Sequence, residues 1–189
     1  MAMHKVRSVT SARQVINSGD VLLWRGQGFV SRMIAAAGRS DYSHAAIAAW
    51  WGDKLMVLEV RERVGGRCVT LESQVGRYPN AIDVFSPCPQ RRDEVDFHAV
   101  VDTMKLFAGC DYGYMHLWKA AMLHLPVFRI FANRRRDSKI DGAPFCSEAV
   151  DRSYISGGLD LVPRLQGRLT EPGDLSRSAA LEYVCTLGK

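Results

Sequence analysis

The sequence lacks several features that would assign it directly to a class of protein. No apolar run approaches the roughly 18 residues of a membrane-spanning helix, and the longest, around Leu117 to Ile130, is broken by charged residues and a proline. No CxxC pair and no His/Cys cluster with zinc-ligand spacing occurs, so we expect no metal site. The segment Met1 to Asn17 has no apolar stretch like that of a signal peptide, so we expect a cytoplasmic protein.

The composition is that of an ordinary globular chain with a mild basic excess. With 189 residues, we expect one domain covering residues 1–189, with residues 1–17 as an N-terminal extension and residues 133–142 as a mobile loop. Five cysteines, an odd number, favour a reducing compartment over a disulfide framework. The net charge of +5 includes Arg134, Arg135 and Arg136, but no aromatic residues interleave with them, so no nucleic-acid partner is expected. The sequence does not indicate an oligomeric state.

The pattern of apolar residues predicts an α+β fold, with an antiparallel sheet or barrel packed against helices. The predicted strands are Asp20 to Trp24, His44 to Trp51, Lys54 to Val60, Arg67 to Leu71, Ala81 to Phe85 and Leu181 to Leu187. The predicted helices are Phe29 to Ala37, Asp93 to Phe107, Tyr114 to Ala132 and Pro144 to Ile155. The third helix carries an apolar surface for which core packing is the first interpretation and an acyl-chain pocket or membrane contact the second.

A hairpin in the middle of this pattern brings a histidine and a glutamate together. If Gly52 and Asp53 form a type II′ turn, the alternation of side chains along the strands places His44 and Glu59 on one face as diagonal neighbours. A carboxylate among apolar residues must be paired, and an imidazole would satisfy it. The alternative is a core histidine with Glu59 paired to a nearby arginine, Arg61 or Arg63. The pattern alone leaves the two interpretations open.

Cys146 is the cysteine with the context of a nucleophile. It lies in what should be the first turn of a helix, where free backbone N–H groups and the helix dipole stabilise a thiolate. A cysteine of lowered pKa beside a base is an activated nucleophile, and the same N–H groups can bind an oxyanion. The alternative is a small buried hydrophobic residue, the usual fate of a free cysteine. The other four, Cys68, Cys88, Cys110 and Cys185, lack a comparable context.

Six segments, in order along the chain, resemble the circularly permuted papain-like amidases and peptidases of the NlpC superfamily. That group includes the YiiX-like bacterial proteins and is distantly similar to the lecithin retinol acyltransferase-like enzymes. The segments are Ser18 to Leu23, Tyr42 to Ile47, Val57 to Glu59, Asp111 to Tyr114, Phe145 to Val150 and Glu171 to Leu175. In ordinary papain-like enzymes the cysteine precedes the histidine, and here the order is reversed, as a permutation requires.

The resemblance implies a catalytic group and a reaction. It makes Cys146 the nucleophile, His44 the general base and then acid, and Glu59 the residue that orients His44. Three further positions would lie by the oxyanion or substrate: Tyr42, Phe145 and Ser147, although a tyrosine is common where Phe145 stands. The expected reaction is hydrolysis of an amide bond in a peptide or peptidoglycan-derived substrate through an acyl-enzyme, without a cofactor.

Two other functions stay open on the sequence. The same catalytic pair could serve an acyltransferase, lipase or thioesterase acting on lipid substrates, or the chain could be an inactive binding module that docks an acidic partner. Secreted members of the resembling family carry signal sequences, and none is recognised here. A cytoplasmic enzyme, or one that is phage-encoded or delivered, fits that observation.

Overall fold

The computed structural model of the chain describes residues 5–26, 39–61, 64–110, 144–163 and 170–189. The described strands are β1 Val6–Ser8, β2 Val21–Trp24, β3 His44–Trp51, β4 Lys54–Arg61, β5 Gly65–Thr70, β6 Ile82–Pro87 and β7 Leu181–Gly188. The described helices are α1 Val9–Ala12, α2 Leu71–Arg77, α3 Pro89–Arg92, α4 Phe97–Leu106, α5 Cys146–Ser156 and α6 Pro172–Ser176. The expected mixed α+β architecture is confirmed.

The strands form one seven-stranded sheet in the order β1-β7-β6-β2-β3-β4-β5. Neighbouring strands are antiparallel, except that β1 runs parallel to β7. The six strands expected from the sequence are all present, with ends that differ by two residues at most. The last strand inserts between β1 and β6, so both ends of the described chain belong to the sheet.

The segment expected to be an N-terminal extension is part of the fold where the structure describes it. Strand β1 pairs with β7, and the side chains of Ala12 and Ile16 are buried in a core cluster. The short strand was missed because three residues carry too little alternation to be recognised. The helix of residues 29–37, the helix of residues 114–132 and the loop of residues 133–142 were predicted for segments outside the described residues.

Two helices begin later than expected, for local reasons. Helix α4 starts at Phe97 because the Asp96 carboxylate accepts hydrogen bonds from the N–H groups of His98 and Ala99, as an N-cap does. Helix α5 starts at Cys146, with Phe145 as its N-cap, so Pro144 lies before the helix rather than in its first turn. None of the helices described is both long and apolar enough to cross a membrane.

The hairpin of β3 and β4 has the expected turn and register. Gly52 has a positive φ of 58°, as the first central residue of a type II′ turn requires. Trp51 lies opposite Lys54 and Ile47 opposite Leu58. This register continues to place Ala46 opposite Glu59, so the two strands share the pattern of faces that the sequence predicts.

Strand β3 is rich in alanine, and its two faces belong to two separate core clusters. Ala45 and Ala49 lie in a cluster with α4 and α5, whereas Ala46 and Ala48 lie in a cluster with α2. The sheet is therefore covered by helices on both faces. Alanines, with their single methyl groups, allow α5 to approach the strand closely, which brings the start of the helix to the start of β3.

Helix α5 is fixed to the rest of the fold by two buried hydrogen bonds from its side chains. The Tyr154 hydroxyl donates a hydrogen bond of 2.6 Å to the carbonyl of Gly19, which lies two residues before β2. The Ser147 hydroxyl donates to the carbonyl of Thr170 over 2.7 Å. Both donors are fully buried. These contacts hold the end and the beginning of the helix, respectively.

We expect Tyr154→Phe to lower the free energy of unfolding by about 1–3 kcal/mol, because the substitution leaves the Gly19 carbonyl buried without its donor. Urea denaturation followed by circular dichroism measures it. The matched control is Thr103→Val, which removes a hydroxyl bonded to Ser156 at the exposed side of the α4–α5 contact. A loss for Thr103→Val as large as for Tyr154→Phe would contradict the assignment of a special role to the buried bond.

Candidate active site

Three of the residues singled out in the sequence meet where the start of α5 lies next to the central strands β3 and β4. Cys146 is the first residue of α5, His44 is the first residue of β3, and Glu59 lies near the end of β4. The thiol of Cys146 and the imidazole of His44 lie close enough for each to shift the pKa of the other. The Nε2 atom of His44 lies 2.6 Å from Oε2 of Glu59. The side chains therefore form a continuous thiol–imidazole–carboxylate chain.

The Cys146 thiol sits where backbone donors converge. Only 4% of the residue is exposed, and burial by itself favours the neutral thiol. The hydrogen bond and charge of His44, together with the N–H groups of Ala45 and Ser147, outweigh burial and lower the pKa of Cys146. Phe145, at the N-cap, offers no side-chain acceptor, so the first N–H groups of the helix stay available to the sulfur.

His44 is held between its two polar partners by an aromatic contact. Because Nε2 faces Glu59, Nδ1 is the ring nitrogen left for Cys146. The Trp24 ring, opposite His44 in the β2–β3 register, packs edge-on with its centroid 5.1 Å away. Burial disfavours the imidazolium, but hydrogen bonds and charges from Cys146 and then Glu59 raise the pKa of His44 from 6.5 to about 9. The lowered pKa of Cys146 and the raised pKa of His44 both favour the thiolate–imidazolium form of the pair over the neutral form.

Glu59 is the buried anion of the site, with 1% of the residue exposed. Its Oε1 accepts from Nε and Nη2 of Arg67 over 2.8 and 2.6 Å, and its Oε2 lies 3.3 Å from Nη1 of Arg61. Burial would raise the pKa of this carboxyl, but His44, Arg61 and Arg67 together lower it to about 2. Glu59 thus contacts both His44 and an arginine, the two partners that the sequence left as alternatives.

The three positions expected beside the oxyanion or substrate have other contacts in this conformation. The Tyr42 hydroxyl donates to Oδ2 of the buried Asp83 over 2.6 Å. The Ser147 hydroxyl is bonded to Thr170, so only its backbone N–H faces the sulfur. The Phe145 side chain is buried in the core cluster beside α5. Substrate contacts from these side chains stay predictions.

Glu148 and two of the other cysteines do not share the environment of Cys146. Glu148, which would oppose a thiolate if it faced the sulfur, forms an ion pair with Arg152. Burial raises the pKa of Cys185 to about 11 and also raises the pKa of Cys68. Among the residues that the structure describes, no group of three or more His, Cys, Asp or Glu side chains is arranged to hold a metal ion.

Arg67 is the member of the site that the sequence reasoning missed. It lies directly opposite Glu59 in the β4–β5 register. The signal that could have found it is an arginine and a glutamate facing each other on adjacent predicted strands. That pairing requires the β4–β5 connection to be placed correctly, and the connection has no recognisable tight turn in the sequence.

Comparisons with known proteins support the fold and give no family assignment. No protein family and no curated protein matches the chain. Among solved structures, it is similar to the crystal structure of the metalloprotein yiiX from Escherichia coli O157:H7. The two share 16% sequence identity over 92% of this chain and 99% of that one, with a TM-score of 0.63. The resemblance to YiiX-like proteins is therefore supported at the level of the overall fold.

We expect Cys146 to react with iodoacetamide much faster than the other four cysteines at about pH 6, where a thiol of ordinary pKa is less than about 1% thiolate. The lowered pKa of Cys146 increases the fraction of its sulfur that is ionised, whereas the raised pKa values of Cys68 and Cys185 decrease that fraction for theirs. Peptide mass spectrometry of briefly treated native protein measures the labelling. Equal labelling of all five cysteines would contradict the thiolate assignment.

We expect Glu59→Gln to have two effects. The pKa of His44 should fall from about 9 towards 6.5, because the amide carries no negative charge, and the shift is measurable by NMR titration of the ring. The free energy of unfolding should fall by about 1–3 kcal/mol, because Arg61 and Arg67 lose a charged acceptor. The control is Glu72→Gln, which removes an exposed partner of Arg13 and should change stability by less than about 0.5 kcal/mol. An unchanged His44 titration would refute the coupling.

Proposed function

We propose that this chain is a cysteine-dependent hydrolase that cleaves an amide bond in a peptide or peptidoglycan-derived substrate through an acyl-enzyme. The observation that carries the proposal is the continuous Cys146–His44–Glu59 chain, with a sulfur at the start of a helix and a buried carboxylate behind the imidazole. A nucleophile, a base and an orienting group in contact form the arrangement used for covalent acyl transfer.

In the first half of the reaction the Cys146 thiolate attacks the substrate carbonyl. The C–N bond breaks as His44 transfers its proton to the departing amine, which leaves an acyl group on the sulfur and a neutral imidazole. In the second half His44 removes a proton from water as the water attacks the acyl carbon. The C–S bond breaks, the carboxylic acid departs, and the thiolate and imidazolium return.

Oxyanion stabilisation is assigned to backbone N–H groups rather than to a side chain. The N–H groups at the start of α5 have no acceptor within the helix, and those of Ser147 and Ala45 act on the sulfur. Tyr42 and Ser147 retain secondary roles in the proposal: the Tyr42 ring as a neighbour of the core cluster that includes Cys146, and the Ser147 backbone as a donor. Their hydroxyl groups are engaged by Asp83 and Thr170.

The proposal also assigns the chain to the circularly permuted papain-like proteins of the NlpC superfamily. Two observations support this. The strand that carries His44 precedes the helix that carries Cys146 along the chain, and the fold is similar to that of the yiiX protein over nearly the full length of both chains.

The yiiX protein is described as a metalloprotein, so the fit of a metal ion to this site needs a test. The carboxylate nearest to His44 and Cys146 is Glu59, and both of its oxygens are bound by arginines. A metal ion next to two guanidinium groups would meet strong repulsion. The donor set therefore does not fit a resident metal ion, and no step of the proposed mechanism uses one.

Cys146→Ala tests the proposal. We expect it to abolish hydrolysis of a panel of peptide amides and peptidoglycan fragments. The melting temperature should stay nearly unchanged, because the substitution removes only a single sulfur atom. Hydrolysis of any member of the panel that persists in Cys146→Ala would contradict the proposal.

Trapping the intermediate identifies the substrate class. Incubation with peptide and fatty-acyl substrates followed by mass spectrometry should show a peptidyl adduct on Cys146. A fatty-acyl adduct without a peptidyl adduct would favour a lipid acyltransferase or thioesterase over the proposed amidase. The control protein is Glu72→Gln, which should form the same adduct as the wild type.

A further inference from the structure

We infer that Arg67 and Arg61 are positioning residues that set how readily His44 takes up and gives up its proton once Cys146 has been acylated. The inference rests on the proposed function, which it deepens. It assigns a role in deacylation by water to two arginines that contact Glu59 and act on His44 through it.

The contacts of Arg67 are those of a specific carboxylate clamp. Its Nε and Nη2 both bind Oε1 of Glu59, over 2.8 and 2.6 Å, which leaves Oε2 directed at His44. The two residues are also direct partners in the register of β4 and β5. Such a geometry fixes the rotation of the carboxylate and withdraws negative charge from it.

Arg61 completes the clamp from the same strand as Glu59. Its Nη1 lies 3.3 Å from Oε2, and its Nη2 donates to the Tyr78 hydroxyl over 2.6 Å. The Tyr78 ring also lies under the Arg61 guanidinium, 5.1 Å from centroid to Cζ. These contacts hold the guanidinium next to Glu59, so that its positive charge stabilises the carboxylate.

The charges explain why two arginines matter. With the thiolate present, His44 lies between two anions, and its imidazolium is strongly favoured. After acylation the thiolate is gone, and Glu59 is the anion that remains beside the ring. A fully charged carboxylate at 2.6 Å would keep His44 protonated and so unable to take a proton from water. The arginines offset that charge and let the imidazole act as a base.

The groups that face His44 and Glu59 come from every neighbouring element of the described chain. They are Cys146 from α5, Arg61 from β4 and Arg67 from β5. Behind Arg61 lies Tyr78, which accepts its hydrogen bond, and the Arg77 guanidinium at the end of α2 lies over the Tyr78 ring. Removal of a positive charge from this set must raise the pKa values of Glu59 and His44. The sign of the effect is therefore fixed in advance.

The test compares the two halves of the reaction in the full chain. With p-nitrophenyl acetate as the probe, the initial burst of nitrophenolate reports acylation of Cys146, and the later steady rate reports deacylation by water. In Arg67→Met we expect a burst rate within about twofold of the wild type, and a deacylation rate about tenfold lower at neutral pH. The pH midpoint of deacylation should rise by about one unit, which corresponds to that tenfold change.

Two variants control for charge and for damage to an ion pair. Arg67→Lys retains the positive charge and should restore most of the deacylation rate. Arg25→Met breaks another ion pair between a partly exposed arginine and a buried carboxylate, Arg25 with Asp83 at 3.1 Å. It should leave the deacylation midpoint unmoved. If Arg67→Met does not fold, Arg61→Met carries the test, with a smaller upward shift because its contact is longer.

The outcomes separate this inference from the proposed function. If the wild type shows no burst and no acetyl adduct on Cys146, the proposed function fails and the inference falls with it. If the burst is present but Arg67→Met slows both phases equally, or leaves the deacylation midpoint in place, Arg67 serves the fold alone and only the inference is overturned. An upward midpoint shift with an unchanged burst supports it.

Discussion

The buried carboxylate of Glu59 is the constraint on which the centre of this structure depends. A charge with 1% exposure is tolerated only if several donors replace its water. Here the donors come from three adjacent strands: His44 on β3, Arg61 on β4 and Arg67 on β5. A slip of one residue in either pairing would turn Glu59 or its partner to the other face of the sheet. The carboxylate therefore fixes the strand register as well as the imidazole.

The thiol end of the site is built from different materials. Negative charge on Cys146 is stabilised by His44 and by backbone N–H groups, whereas that on Glu59 is also stabilised by arginines. This requires the start of α5 to lie against the start of β3. The alanines of β3 permit that approach, and the bonds of Tyr154 and Ser147 hold the helix there. The precision of the site thus comes from helix packing on one side and from charge pairing on the other.

The parts of the site that follow from local periodicity could be predicted from the sequence. The Gly52 turn sets the hairpin register, which places Glu59 near His44, and the helix start at Cys146 was expected within two residues. The rest depends on contacts between distant segments. The Arg67 clamp needs the β4–β5 register, and insertion of β7 between β1 and β6 joins the two ends of the described chain. Neither leaves a periodic signal, since pairing partners far apart in sequence are chosen by the packed whole.

The N-cap of α5 leaves the first N–H groups of the helix to the sulfur of Cys146. Of the described helices with at least seven residues, α2 and α4 have a side-chain N-cap, from Thr70 and Asp96, whereas α5 has Phe145 as its N-cap and no capping side-chain bond. A capping side chain is worth about 1 kcal/mol to a helix, but its oxygen would compete with the sulfur for the same N–H groups. Phe145 instead anchors the helix start by burying its ring in the core. A phenylalanine at this position fixes the backbone without occupying its donors, and it leaves them to the sulfur of Cys146.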